Sequence, residues 1–308
     1  MTSFVVSCII LHSTDIIYGM DRIIECIPNF SEGRDEKVLS ALQKAAGGTL
    51  MDIHKDADHN RSVFTMAGSP QAIYEAAFAM AALAVQLIDL RKHSGEHPRM
   101  GAVDVIPLVP IKNVEMSDCI AMAQQLGKKI SKDLALPVFL YEEAATAPER
   151  RNLADIRKQG WKEWQADFPA PAQTHPSAGA VAIGARKPLI AYNINLNTDD
   201  INIAKAIAKS IRGSSGGLPH CKALGMYLKE RNIAQVSMNL TDHEQTPIHQ
   251  VFEAVQTEAA RHNTSILESE LVGLAPASAI LTAAKHYLKL PSLNPQHILE
   301  LKIEDLKD

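Results

Sequence analysis

Apolar and polar positions follow one another along this chain in a regular order of short runs and helical stripes. "RIIECIP" (22–28) has the brevity and apolar content of a strand. "DEKVLSALQKAA" (35–46) puts Val38, Leu39, Leu42 and Ala45 or Ala46 on one face, and Gly47-Gly48 ends that helix. Strands are predicted at 49–55 and 61–68, joined by "DADHN". Ser69 and Pro70 open a long helix over 71–90, the proline at its first position, where its missing N–H costs nothing. "AVDVIPLVP" (102–110) reads as a buried strand, followed by an appended helix (117–134) and strand (137–141). The order is β-α-β-β-α-β, the ferredoxin-like order.

The second half repeats it. "KPLIAYNINL" (187–196) is a strand, and Thr198, Asp199 and Asp200 open a helix to about Ile211, with acids at its positive end. "HCKALGMYLKE" and "IAQVSMNL" are strands, Thr246-Pro247 opens a helix to about Arg261, "SILESELVGL" is a strand, and 276–288 is a closing helix. We therefore expect an α+β chain of two ferredoxin-like (βαββαβ) subdomains, each a sheet covered by helices. The expected boundaries are 20–180 and 181–308, with the proline-, alanine- and glycine-rich "FPAPAQTHPSAGA" (168–180) as an irregular connection. Residues 1–19 are expected to be a disordered extension or a mis-called start before Met20: they lack a basic n-region and a clear cleavage site, and His12 and Asp15 interrupt them.

Composition narrows the function classes. The chain has 308 residues, 46% apolar and 21% charged, with a formal net charge of −4 and no charged block. That excludes a dominant basic face for nucleic acid but leaves room for a local cationic pocket. No stretch is apolar and long enough to span a membrane. Cys8, Cys26, Cys119 and Cys221 are scattered without a CxxC pair and read as reduced thiols of a cytoplasmic protein.

The densest chemistry is "HSGEHPRMG" (93–101). It contains H-x-x-E-H, which in a zinc site needs both histidines on one helical face. Gly95 interrupts that face, and Pro98 disfavours helical dihedrals at His97. The expectation is therefore no metal, and a bent loop holding one working imidazole; a loop whose histidines merely face water is the plain alternative. "GSSGG" (213–217) lacks a Walker lysine and is not read as a phosphate loop.

Seven blocks in order resemble the glutamate formiminotransferase family: "CIPNFSEGR" (26–34), "DADHNRSVFTMAG" (56–68), "RKHSGEHPRMGAVDVIPLVPI" (91–111), "VFLYEEAA" (138–145), "GARKPLIAYNINL" (184–196), "AQVSMNLTD" (234–242) and "LVGLAPASAI" (271–280). The resemblance is to the stand-alone form, without the cyclodeaminase domain of the fused animal enzyme. It implies two ferredoxin-like subdomains with folate between them, a homodimer, and tetrahydrofolate as co-substrate. The implied reaction moves the formimino group of N-formimino-L-glutamate to N5 of tetrahydrofolate. An enzyme acting on 5-formyltetrahydrofolate, or a non-catalytic folate-binding protein, is the alternative.

The family's catalytic histidine falls on His97. Its folate segment falls on Pro169, Ala170, Pro171, Ala172, Gln173, Thr174, His175, Pro176, Ser177, Ala178 and Gly179. Two anionic substrates need cations, and arginine grips carboxylates bidentately. Arg61 and Arg99 are the candidates, with Asn60 for a polar contact; Arg186 and Lys187 rank below them. Asp58 is an Asx turn or a partner of the imidazole. Asp104, in an apolar strand, reads as a satisfied structural carboxylate. Glu96 points away from His97, and His93 has no assigned chemistry. A separate cyclodeaminase is a possible partner.

Overall fold

The computed structural model describes residues 22–57, 60–94, 99–172, 174–229 and 231–305. The expected N-terminal extension lies outside the described residues, as do Asp58, Glu96, His97 and Gln173. Two compact units divide between Arg186 and Lys187.

The first unit carries β1 (Ile23–Cys26), β2 (Asn29–Phe30), α1 (Glu36–Ala46), β3 (Leu50–Asp56), β4 (Arg61–Gly68), α2 (Pro70–Leu87), β5 (Val103–Lys112), α3 (Met116–Leu134), β6 (Val138–Glu142) and β7 (Val181–Ala185). β1 and β2 are two pieces of one line between β4 and β5, antiparallel to both. β3 pairs with the far edge of β4. Beyond β5 the sheet continues through β7 to β6, all parallel. β7 accounts for the boundary at 186/187 rather than 180/181. Sequence patterning gave its five residues no element, yet they are buried and fill the slot between β5 and β6.

The helix ends follow the capping chemistry in the sequence. Asp35 accepts the N–H groups of Lys37 and Val38 to start α1, and Ser69 accepts that of Ala72 to start α2. α1 buries Val38, Leu39, Leu42 and Ala46 in the main core with Phe30, Phe64, Met80 and Leu126. Full burial of Leu42 is worth about 1.5–3 kcal/mol, and Leu42→Ala should cost about 2–5 kcal/mol through the cavity it leaves.

The helices cover one face of this sheet. A smaller core forms on the other, where Val105, Phe139, Tyr141 and Ala182 meet Ile156, Leu153, Trp161 and Trp164. Leu153, Ile156 and Trp161 belong to a short helical stretch, Leu153–Asp155, Ile156–Gly160 and Trp161–Glu163, whose middle turn is π-helical, and Trp164 follows it directly. Sequence patterning gave no element there.

The second unit carries β8 (Ile190–Leu196), α4 (Ile201–Ile211), β9 (Cys221–Leu228), β10 (Ile233–Leu240), α5 (Ile248–Arg261), β11 (Ile266–Val272) and α6 (Ala277–Tyr287). Its sheet runs β11-β8-β10-β9, every neighbour antiparallel. Its core centres on Ile194, Ile207, Val236 and Val251. The expectation of an α+β chain with two helix-covered sheets holds. No helix among the described residues is long and apolar enough to cross a membrane.

Candidate active site

Asn60 is the hub of the site in the first unit. It sits in the turn entering β4 with φ +48°, a left-handed conformation that asparagine tolerates better than most residues. Its Oδ1 accepts the Gly33 N–H at 2.9 Å, and its Nδ2 donates to the Ser94 carbonyl at 3.1 Å. Its own backbone carbonyl accepts Arg99 Nη1 at 3.1 Å and meets His93 Nε2 at 3.1 Å. The clamp needs close backbone approach, and a Cβ at Gly33 would stand 2.3 Å from the Asp56 carbonyl oxygen.

These bonds fix the imidazole of His93. Nε2 lies 3.1 Å from the Asn60 carbonyl, and the Arg99 Nη1 donor approaches both ring nitrogens, Nε2 at 2.6 Å and Nδ1 at 2.9 Å. That arrangement requires the neutral ring. Burial and the neighbouring Arg99 cation both hold the His93 pKa below the ordinary imidazole value.

Arg61 enters from the same turn, and its Nη2 donates to the Asn29 side-chain oxygen. Burial, then the adjacent Arg157 guanidinium, push its pKa down to about 10; Asp104 opposes the shift and Arg99 adds to it. The Arg61 guanidinium therefore lies within electrostatic reach of those of Arg157 and Arg99. Asp104 is 3% exposed in β5. One oxygen accepts the Met100 N–H at 2.8 Å, and the other accepts Arg157 Nη2 at 2.5 Å.

The 169–179 strip closes the arrangement. Pro169 accepts the Ser131 hydroxyl at 2.7 Å. Further on, the Leu90 N–H donates to Ser177 O at 2.8 Å, Ala102 N–H to Ala178 O at 2.9 Å, and Ala180 N–H to Met100 O at 2.9 Å. His175 and Gly179 exchange backbone bonds of 2.7 and 3.0 Å. The His175 Nδ1 accepts the N–H groups of Ser177 (3.3 Å) and Ala178 (3.1 Å), so the neutral ring carries its proton on Nε2. Gly179 has φ +72°, and a Cβ there would lie 2.1 Å from the Met100 carbonyl oxygen. Only glycine fits.

Three sequence-distant pieces thus meet: Asn60–Arg61, the Ser94 and Arg99 flanks of the 95–98 segment, and His175–Gly179. His97 itself lies outside the described residues. Both flanks are tied down, Ser94 by Asn60, and Arg99–Met100 by Asn60, Asp104 and Ala180. Sequence reasoning missed His93 as a partner of Arg99, and Arg157 entirely. A charged Asp104 in an apolar strand was the available signal, because a buried carboxylate needs a cation or hydrogen-bond donors.

Other candidates lie elsewhere. Arg186 faces Glu25, whose carboxyl is raised by burial against its pull, and Tyr141, which burial pushes up to about 12. Lys187 donates to Asp242 at 2.8 Å and Glu244 at 3.1 Å in the second unit. No group of three metal-ligating side chains occurs among the described residues.

Comparison with known proteins decides the family. The model of the formiminotransferase domain's N-terminal subdomain matches residues 23–186, and that of the formiminotransferase domain matches 191–306. The chain belongs to the formiminotransferase family. It is 48% identical over 284 residues to a glutamate formimidoyltransferase of Streptococcus pyogenes, covering 88% of this chain and 95% of that one. A glutamate formimidoyltransferase of Thermoplasma acidophilum is 43% identical, at 92% and 97% coverage. A formimidoyltransferase-cyclodeaminase of Gallus gallus is 42% identical, but this chain, 93% of which aligns, spans only 57% of its length. The first matched region ends at Arg186, where the two compact units divide, and the second begins at Ala191 in β8.

Proposed function

We propose that this chain is an enzyme that transfers the formimino group of N-formimino-L-glutamate to N5 of tetrahydrofolate, releasing L-glutamate and 5-formiminotetrahydrofolate. The observation that carries the reading is the meeting of Asn60 and Arg61 with Ser94, with Arg99 and Met100, and through Met100 with His175–Gly179, in a chain aligned almost throughout with enzymes named for that transfer.

The proposed chemistry needs one proton carrier. N5 attacks the formimino carbon and gives a tetrahedral adduct. N5 then loses its proton, the bond from carbon to the glutamate nitrogen breaks, and that nitrogen gains a proton. In our reading His97 takes the first proton and returns one to the leaving amine, within reach of an imidazole near neutral pH. Such a group contributes about 10²- to 10⁴-fold, and the remaining acceleration comes from holding two substrates together.

The other residues divide by what their atoms are free to do. Both ends of the Asn60 amide are taken by Gly33 and Ser94, so we assign it to holding the loop rather than touching substrate. Arg61 and Arg99 supply positive charge for substrate carboxylates. Residues 169–179 supply a flat backbone and small side chains against the folate ring. Tetrahydrofolate enters as co-substrate, and no metal takes part. Each unit is read as a ferredoxin-like subdomain, the working protein as a cytoplasmic homodimer, and a separate cyclodeaminase as a candidate partner.

Purified protein with tetrahydrofolate and N-formiminoglutamate, run beside 5-formyltetrahydrofolate as alternative donor, tests the reading. Formation of 5-formiminotetrahydrofolate supports it. Turnover of the formyl compound alone, or folate binding without turnover, replaces it.

A further inference from the structure

Arg157 belongs to none of the blocks that resemble the family, yet it reaches the centre of the cation cluster. The turn that carries it is π-helical, a form often found at functional sites. Ile156 beside it is fully buried against the open face of the first sheet, with Leu153, Trp161 and Trp164 packed around it. That packing aims Arg157 at Asp104, and its side chain is 16% exposed.

Among the described residues, cations outnumber the carboxylates that act on Arg61. Arg61, Arg99 and Arg157 share this corner, and the carboxylates that act on Arg61 are Asp104 and, more weakly, Asp56. Asp104 also gives one of its oxygens to the Met100 N–H. Arg157 has Nη2 on Asp104, while its Nε is buried with no hydrogen-bond partner among the described residues. A desolvated, partly satisfied guanidinium beside two others is costly unless an anion arrives.

Resting on the reading above, we propose that Arg157 is a further binding residue of this site and takes the α-carboxylate of the amino-acid donor. The α-carboxylate is two bonds from the formimino-bearing nitrogen, so it must sit near the reacting atoms. The glutamyl carboxylates of folate are at the far end of that molecule from N5. Arg99 shares the cluster and is two residues from His97 in sequence, so we assign the cations to the donor rather than to the folate tail.

The test compares two donors in wild type and variants. N-formiminoglutamate carries the α-carboxylate, and the N-formimino derivative of 4-aminobutyrate lacks it. Arg157→Gln should raise the KM for N-formiminoglutamate about 10- to 100-fold, the usual worth of a charge-assisted hydrogen bond, with little change in turnover. The same variant should hardly change the KM of the derivative or of tetrahydrofolate. Because Arg157→Gln strands the buried Asp104 carboxylate, Arg157→Lys is measured beside it. Lysine keeps the charge but not the planar fork, and should raise the same KM alone, to a smaller extent. Equal effects on both donors, an effect confined to tetrahydrofolate, or Arg157→Lys indistinguishable from wild type each overturn the assignment. A wild type that turns over neither donor removes the underlying reading and this inference with it, whereas an active wild type with unchanged variants removes only the inference.

Discussion

The carboxylate of Asp104 accepts the backbone N–H of Met100 at 2.8 Å, four residues before it in the chain. This bond anchors the C-terminal flank of the 95–98 segment to β5, whose first seven residues are buried. The other oxygen is held by Arg157, so one side chain ties a loop, a strand and a helical turn together. Asp104→Ala should cost about 3–5 kcal/mol, because it leaves Arg157 buried without its counter-charge. Asp104→Asn keeps an acceptor for Met100 and should cost less. Denaturant midpoints at constant slope measure both.

Stability near the site should fall on the acid side through His93. Its folded-state pKa lies below the usual 6.5, lowered by burial and by Arg99. The unfolded chain therefore binds a proton more readily than the native one. Its contribution is complete above about pH 6.5 and is lost as pH falls toward the depressed folded value. Amide exchange at Gly33 and Arg99 should quicken over that window. The variant His93→Gln, which does not titrate, should show a flatter profile; an unchanged profile refutes this origin.

Gly179→Ala should disable the 169–179 strip without touching any polar side chain. The added methyl meets the Met100 carbonyl at 2.1 Å on a backbone with φ +72°. Such strain costs at least about 1–3 kcal/mol. We expect a raised KM for tetrahydrofolate and a lowered melting temperature. A variant with wild-type kinetics and stability shows that the strip is not held as described.

Much of the fold was legible in the sequence because the signals were local. Asp35, Ser69 and Asp200 cap helices where their side chains can reach the next free N–H groups. The strands at 61–68 and 233–240 have the bounds their apolar runs suggest. β7 was missed because alanine and glycine fill three of its five positions, and only its neighbours β5 and β6 make "VAIGA" a strand. The site was legible as far as sequence neighbours reach. The need of anionic substrates for cations named Arg61 and Arg99, with Asn60 for a polar contact, and the structure brings these three near one another. Arg157 lies more than fifty residues from Asp104 in sequence, and no local pattern links them. His93 was set aside because no local pattern pairs it with Arg99, six residues on.

Metal removal should have no effect on activity. The H-x-x-E-H stretch contains a helix-breaking glycine and precedes a proline, and the described member of its pair, His93, is engaged by Asn60 and a cationic arginine. Activity before and after chelation, with elemental analysis, checks this. Stoichiometric zinc together with loss of turnover contradicts it.

The most direct measurement is turnover of His97→Ala set against tetrahydrofolate binding by the same variant. The account predicts a loss of about 10²- to 10⁴-fold in turnover, with binding nearly intact. His93→Ala should be milder, acting through the position of Arg99. Near-full activity in His97→Ala, with His93→Ala inactive, would contradict the assignment of the proton carrier and the reading built on it.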